Sequence, residues 1–408
     1  MKVLYFHQHF STPLGSTAIR SYQMAQKLIA RGHEVTLVCG SYAGGDTGLQ
    51  GPFVKKKRRG RVNGINVIEL SLQYSNNDNF IKRSFTFLTF SLRSIIFALA
   101  EDYDLVFATS TPLTAGIPGI FAKWIRNKPF IFEVRDLWPE LPKEMGVITN
   151  PLVLGLMSAL EWITYKSAKA LIALAPGIAE GICRRGIPPE KVATIPNGCD
   201  LDIFGNKNIQ PWRPKGVLPQ DIMAIFTGTH GIANGLDAVL NAAAELKKRK
   251  NNFIKFVLIG QGKLKPTLME RAQREDLTNI IFLDPVNKTK LAGLLAASDI
   301  GMQILANVPA FYYGTSPNKF FDYIAAGLPV LNNYPGWLAD LIKEHKCGFV
   351  VEPDNPIAFA NALEYAHEHR DILKRMGKAA RKLAETKFDR DKLSDQFVHW
   401  LEYHCKKC

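Results

Sequence analysis

Lys319 and Asp322 stand three residues apart in the stretch SPNKFFDYIAAGLPV, residues 316–330. Ser316 is a helix-capping type and Pro317 suits a first helical position, so a helix is predicted to start there. Lys319 then falls in the first turn, beside unpaired backbone N–H groups and the positive helix end, where a phosphate binds. Asp322 follows on the same face. A cation for phosphates, a carboxylate for sugar hydroxyls and Asn318 at the helix mouth suit a nucleotide diphosphate. An isolated K-x-x-D is equally an ordinary surface pair, so the neighbouring loops must decide.

Several other loops carry suitable chemistry. Residues 7–17, HQHFSTPLGST, put Gly15 and Ser16 before a helix, where backbone N–H groups can meet an anion. They contain no G-x-G-x-x-G, which argues against a dinucleotide-dependent oxidoreductase. Glu133, Arg135 and Asp136 close an apolar run, and three charges at a sheet edge need partners or a ligand. A loop-fixing Arg–Asp pair would satisfy them as well as a reactive site would. Gly228-Thr229-His230-Gly231 forms a second candidate anion cradle. Gly260-Gln261-Gly262 can approach a flat ring, and Val286 lies in the next loop. Asp200-Leu201-Asp202 is literally a D-x-D, but it sits at the expected domain junction. No metal is expected. Lys319, helix termini and glycine-loop amides would neutralise a leaving diphosphate by preorganised electrostatics.

Strands must carry these loops. Apolar runs at 3–7, 34–39, 65–70, 105–110, 130–134, 170–175 and 192–195 alternate with helix-length stretches. The pattern repeats at 224–227, 255–259, 281–283, 300–304, 330–333 and 349–351. This is an α/β chain with parallel, doubly wound sheets. The alternation breaks at 201–220, where Pro211, Pro214, Gly216 and Pro219 suggest a linker. The expected layout is an N-terminal Rossmann-like domain at 1–200 and a C-terminal one at 221–385, with a last helix at about 386–408 able to pack back on the first. Ligands of such sheets bind at the C-terminal strand ends.

A length of 408 residues fits two domains, and 47% hydrophobic residues suffice for two cores. The six cysteines are scattered and favour a reducing compartment. Cys405-x-x-Cys408 with His404 is half a zinc site and reads as a C-terminal tail. Residues 1–6 read as a strand, not a signal peptide. The net charge of +14 points to anionic partners. The basic run Lys55 to Arg61 reads as a polar segment before a strand. Lys82 and Arg83 precede an apolar run at 85–100, too short for a spanning helix. It reads as an interfacial helix with Phe85, Leu88, Leu92, Ile95, Ile96 and Leu99 on one side, as a core helix, or as both at different ends. Membrane contact is expected through Lys82, Arg83 and Phe85. The basic residues form no nucleic-acid module, so no nucleic-acid partner is expected.

The chain resembles the family 4 retaining glycosyltransferases of GT-B fold, and most of all the bacterial branch that builds O-antigen, capsule or exopolysaccharide units. Gly15 with Arg20, GHEV at 32–35, TSTPL at 109–113, FEVRDLWPE at 132–140, IPNGCD at 195–200 and SPNKFFDYIAAGLPV carry the resemblance. It implies two Rossmann-like domains facing a central cleft. It also implies a metal-independent transfer from a nucleotide diphosphate, UDP, with a GlcNAc-type or deoxy-aminosugar donor and no cofactor. The acceptor would be a polyprenyl-diphosphate-linked or other surface glycan. The enzyme would be cytoplasmic, held peripherally at an anionic inner membrane. Carried onto this sequence, Gly15 would meet diphosphate through its backbone, Lys319 the phosphates and Asp322 the ribose. Gly260 and Val286 would line the base. Arg135 and Asp136, where relatives have a histidine, would stand near the reacting carbon. The family's earlier paired acid falls near Gly314 and is missing, and its basic pair appears as His230 and Asn234. A sugar-nucleotide 2-epimerase or a non-catalytic sugar-nucleotide-binding protein remains an alternative on the same architecture.

Overall fold

Parallel pairing of short, fully buried strands organises the chain. A computed structural model describes residues 1–15, 19–42, 44–74, 78–206 and 208–406, with the Phe80 side chain also excluded. Ser16 and Cys408 of the expectations above lie outside the described residues. Among the described residues the chain forms two compact units.

The first unit holds β1 (Lys2–Phe6), β2 (Glu34–Tyr42), β3 (Lys57–Val62), β4 (Ile65–Tyr74), β5 (Leu105–Thr109), β6 (Phe130–Val134), β7 (Ala170–Ala173) and β8 (Val192–Thr194). They lie in the order β3-β4-β2-β1-β5-β6-β7-β8. All pairs are parallel except β3 with β4. Covered on both faces, β5 and β6 are buried at every position, so they read as continuous apolar runs.

The second unit holds β9 (Ile222–Thr227), β10 (Ile254–Ile259), β11 (Ile280–Leu283), β12 (Ile300–Gln303), β13 (Val330–Asn332) and β14 (Gly348–Val350). The order is β11-β10-β9-β12-β13-β14, parallel throughout.

The basic run differs from its expectation. Lys57 to Val62 is an edge strand, turned back onto β4 through Asn63 and Gly64 at φ 48° and 88°. Both centres lie in the left-handed region that a two-residue hairpin turn requires. Arg58 pairs with Glu69 at 2.8 Å and Arg59 with Glu101 at 2.6 Å, and charge along an edge blocks further pairing.

Residues 201–220 are not a free linker. The first unit's opening segment ends at Pro196, and the proline-rich stretch belongs to the second unit. Arg213 bonds Asp299 at 2.9 Å, and the Trp212 indole donates to the Lys290 carbonyl at 3.0 Å. The helix Arg390–Lys406 leaves the second unit at its first residue, and its remainder joins the first unit. Phe397, Val398 and Leu401 are fully buried there with Tyr5, Leu37 and Phe107.

The helix Phe80–Ala100 is capped by Asn79, whose side chain accepts from the Lys82 N–H at 2.9 Å. Its amphipathicity is reversed. Ile81, Phe85, Leu88, Leu92, Ile96 and Leu99 are exposed, Phe85 by 72%, while Thr86, Ser91 and Ser94 are buried. Thr86 and Ser91 donate to the carbonyls of Lys82 and Phe87, which lowers the cost of burying their hydroxyls. The opposite face packs Phe90, Phe97 and Ala98 into the unit, so the interfacial and core readings each describe one face.

Candidate active site

Lys319 is the centre of the second unit's chemistry. The helix Asn318–Ala325 begins one residue later than expected, with Pro317 at the cap position and no capping side chain. Among the described residues, the Asn318 and Lys319 N–H groups find no intramolecular acceptor. The Lys319 ammonium donates to Asn234 Oδ1 at 2.8 Å and lies 4.7 Å from the centroid of the Phe226 ring. A Cβ on Gly228 would come within 3.3 Å of Lys319 Cε, which places the side chain against the glycine loop after β9. Among the described residues no carboxylate pairs with it. Burial alone lowers its pKa to about 7.

Asp322 turns elsewhere. A long lysine leans toward the helix N-terminus, while a short aspartate stays at its own level. Asp322 lies in the field of Lys288, Asp200 and Arg390, and burial raises its pKa to about 6 against the pull of Lys288. The two residues therefore form separate contacts, not one paired clamp. Asp200 is held at 2.5 Å by both Lys288 and Arg390, so its carboxylate is engaged in ion pairs.

The glycine loops meet one another closely. A Cβ on Gly260 would fall 1.8 Å from the Gly228 carbonyl oxygen, at a φ of +151° that itself favours glycine. A Cβ on Gly262 would fall 2.4 Å from the His230 carbonyl oxygen. The N–H groups of Gly228 and His230 bond Ile259 and Gln261. Those of Thr229 and Gly231 find no acceptor among the described residues, and Thr229 is exposed. His230 departs from its expected role. Its ring is fully buried near Phe226 and Phe282, and burial lowers its pKa to about 4. A neutral, buried imidazole offers a phosphate no charge.

Sequence reasoning missed Lys265. Its ammonium bonds the Gly260 and Leu283 carbonyls at 3.0 Å each and Asp284 at 2.7 Å, tying the loops after β10 and β11 together. The signal was a lysine opening a helix just after Gly260-x-Gly262. Val286 lies half-buried in the loop beyond. A hollow of about 1030 Å³, lined by Gln261, Gly262, Lys265, Met269, Phe282 and Asp284 among others, adjoins the Gly260 turn.

In the first unit, Arg20 and Glu133 do not fit the binding and catalytic roles expected of them. Arg20 bonds Glu133 Oε2 through Nε and Nη2 at 3.0 and 2.8 Å, and also the carbonyls of Ile195 and Pro196. Thr109 donates to Glu133 Oε1 at 2.8 Å, and both charged side chains are 1% exposed. The pair is a buried tie between the Arg20–Ala30 helix, β6 and residues 195–196. Gly15 also departs from expectation, since its N–H donates to the Thr12 carbonyl at 3.1 Å. Its lack of a side chain serves packing, because a Cβ would fall 2.2 Å from Ser11 Oγ.

Arg135 and Asp136 remain at the sheet edge after β6, both half-buried. The Arg135 N–H donates to Ser110 Oγ at 2.8 Å, and among the described residues its guanidinium has no ion-pair partner. Burial raises the Asp136 carboxyl, opposed by Arg135 and a hydrogen bond with Thr111.

Residues 15–198 match the glycosyl transferase 4-like domain, and residues 208–383 match the glycosyl transferases group 1 domain. The chain is 23% identical over 358 residues to the uncharacterized glycosyltransferase MJ1607 of Methanocaldococcus jannaschii, covering 85% of this chain and 84% of that one. It is 28% identical over 209 residues to a D-inositol 3-phosphate glycosyltransferase of Streptomyces scabiei, but spans only 46% of that relative. Among solved structures, sucrose-phosphate synthase from Thermosynechococcus elongatus superposes with a TM-score of 0.77 at 16% identity over 100% of both chains. Anabaena Alr3699/HepE in complex with UDP-glucose gives 0.69 at 17% identity over 99% of this chain and 100% of that one. WaaG, a glycosyltransferase involved in lipopolysaccharide biosynthesis, gives 0.67 at 18% identity over 98% of each. With one transferase domain model on each half and the fold of these neighbours over its length, the chain belongs to the GT-B glycosyltransferases.

Proposed function

We propose that this glycosyltransferase moves a sugar, of GlcNAc or deoxy-aminosugar type, from a UDP-sugar to a lipid-linked surface glycan, retaining anomeric configuration and using no metal. One observation carries the donor half: Lys319 is a desolvated cation with no counter-charge, beside unpaired N–H groups of a helix N-terminus and a glycine loop. A buried charge without a partner is unfavourable until an anion arrives. A nucleotide diphosphate supplies that anion, as in the neighbour solved with UDP-glucose. Lys319 and the amides of Asn318, Thr229 and Gly231 stabilise the charge that develops on the leaving diphosphate. The acceptor hydroxyl attacks the anomeric carbon on the leaving-group face, and the departing phosphate oxygen takes its proton. By the motif FEVRDLWPE that they occupy, Arg135 and Asp136 are the residues proposed to act at the reacting sugar.

The acceptor half rests on the exposed apolar stripe of the Phe80–Ala100 helix, which includes basic residues and no acidic one. Such a helix suits the interface of an anionic membrane, on its cytoplasmic side.

A thermal-shift screen across UDP-, GDP-, dTDP- and ADP-sugars tests the reading. A UDP-sugar at a hundredfold excess over Kd should stabilise by about 2.7 kcal/mol. Lys319→Ala should abolish that shift and lower turnover more than about 100-fold, roughly 2.7 kcal/mol. A shift that survives in the variant, or no shift with any nucleotide sugar, would remove Lys319 from the donor site.

A further inference from the structure

Hydrogen-bonding atoms without partners gather at the C-terminal end of β1 in the first unit, where no role has yet been given. Gln8 is 1% exposed, yet among the described residues its amide nitrogen and oxygen both lack partners. His7 Nδ1, His9 Nδ1 and Arg83 Nε are likewise buried and unpartnered. An unsatisfied buried polar group is costly, and native proteins hold few of them. Several at one sheet edge mark a place that a ligand completes.

The geometry defines that ligand. The His7 and His9 rings lie 6.4 Å apart, and His9 stands 4.5 Å from Tyr74 and 5.1 Å from Tyr42. Tyr74 stacks on Phe87 at 5.3 Å, and the Arg83 guanidinium lies 5.7 Å from the Tyr74 centroid. Arg83 thus turns into the unit, not outward with Lys82 and Phe85 as the sequence suggested. Neither Arg83 nor Arg135 forms an ion pair among the described residues, and both impose positive charge on His9. Burial first, and then these cations, hold His9 at about 3 and His7 well below its ordinary value, so both rings are neutral. Arg135 also acts on the neighbouring Asp136, pulling its carboxyl down against burial. A positive, partly desolvated cluster with amide and imidazole partners suits an oxyanion with several acceptor oxygens. Its helix wall continues into the exposed stripe, since Ile81 and Phe85 flank Arg83.

We propose that this cluster binds the phosphate groups of the acceptor. Arg83 and Arg135 meet the charge, Gln8, His7 and His9 complete the hydrogen bonds, and Tyr74 with Phe87 walls the adjoining apolar or sugar portion. The proposal rests on the lipid-linked acceptor reading and gives that acceptor a diphosphate-recognising site.

Calorimetry on the full chain tests it, with UDP saturating so that the Lys319 site is filled. The probes are inorganic pyrophosphate and geranyl diphosphate. The unaltered chain should bind both, and Arg83→Met and Gln8→Leu should each weaken binding at least tenfold. The UDP-induced thermal shift of both variants should stay unchanged, which separates this outcome from misfolding or failure of the donor reading. Geranyl diphosphate binding more than tenfold tighter than pyrophosphate assigns the site to a lipid-linked phosphate. Equal affinities keep the oxyanion site and assign it to a soluble phosphate ester. The proposal is overturned if the unaltered chain binds neither probe while UDP still stabilises it, or if both variants bind as the unaltered chain does. It is also overturned if Arg83→Met loses binding to anionic liposomes but keeps pyrophosphate.

Discussion

Binding of a UDP-sugar should draw a proton onto Lys319. Free, this lysine has a pKa of about 7, because burial penalises its charge and no carboxylate offsets the penalty. A bound diphosphate supplies the missing counter-charge and moves the pKa back toward the ordinary 10.5. At pH 8.5 about 3% of the free lysine is charged, so binding should take up roughly one proton. At pH 6 about nine-tenths is charged already, and uptake should fall to about 0.1. Donor affinity should weaken about tenfold per pH unit above about 7. For the ligand-free protein, the unfolded chain holds more protons between about 7 and 10.5, so stability rises with pH through that window. The assay is calorimetry in buffers of different ionisation enthalpy. The slope of apparent against buffer enthalpy counts protons, and Lys319→Met is the control. A slope near zero at pH 8.5, or an unchanged slope in the variant, would refute the reasoning.

Other outcomes follow from the same geometry. Asp322, which the family resemblance sets on the donor ribose and which burial raises to about 6, should lose its charge as pH falls through 6, so donor affinity should decline there, and Asp322→Asn should flatten that acid limb in a pH titration of UDP binding. Arg20→Met strands a buried carboxylate on Glu133 and should cost about 3–5 kcal/mol in denaturant unfolding, with Arg20→Met/Glu133→Gln costing less than the single change. Gly260→Ala forces a Cβ against the Gly228 carbonyl and should weaken UDP binding at least tenfold by calorimetry. Replacing Phe85, Leu88 and Leu92 with Ser should abolish sedimentation with anionic liposomes while keeping the UDP thermal shift.

The sheets were legible because parallel strands buried on both faces leave long apolar runs, as in β6 and β9. β3 escaped because a basic run reads as a polar segment, although Asn63-Gly64 is the two-residue turn that announces a hairpin. Lys319 was readable from its helix start, but its separation from Asp322 was not, since side-chain reach and loop packing decide it. Arg20 and Glu133 could not be told from ligand-binding charges because they lie 113 residues apart and meet only in the fold. The His7–His9 segment was visible as a loop, but its unsatisfied atoms exist only once neighbouring strands bury them.

The placement of Phe397, Val398 and Leu401 in the first unit's core bears on biosynthesis. Translation completes β1 to β8 long before it reaches these residues, and the whole second unit lies between. The earlier-made unit must wait on the ribosome with an open seam beside Tyr5 and Phe107, whose ring meets Phe397 at 5.0 Å. Transiently exposed apolar surface of this kind is prone to aggregation until the late helix closes the seam. A stop codon just before residue 391 would leave the second unit's sheet complete and expose the core of the unit made first.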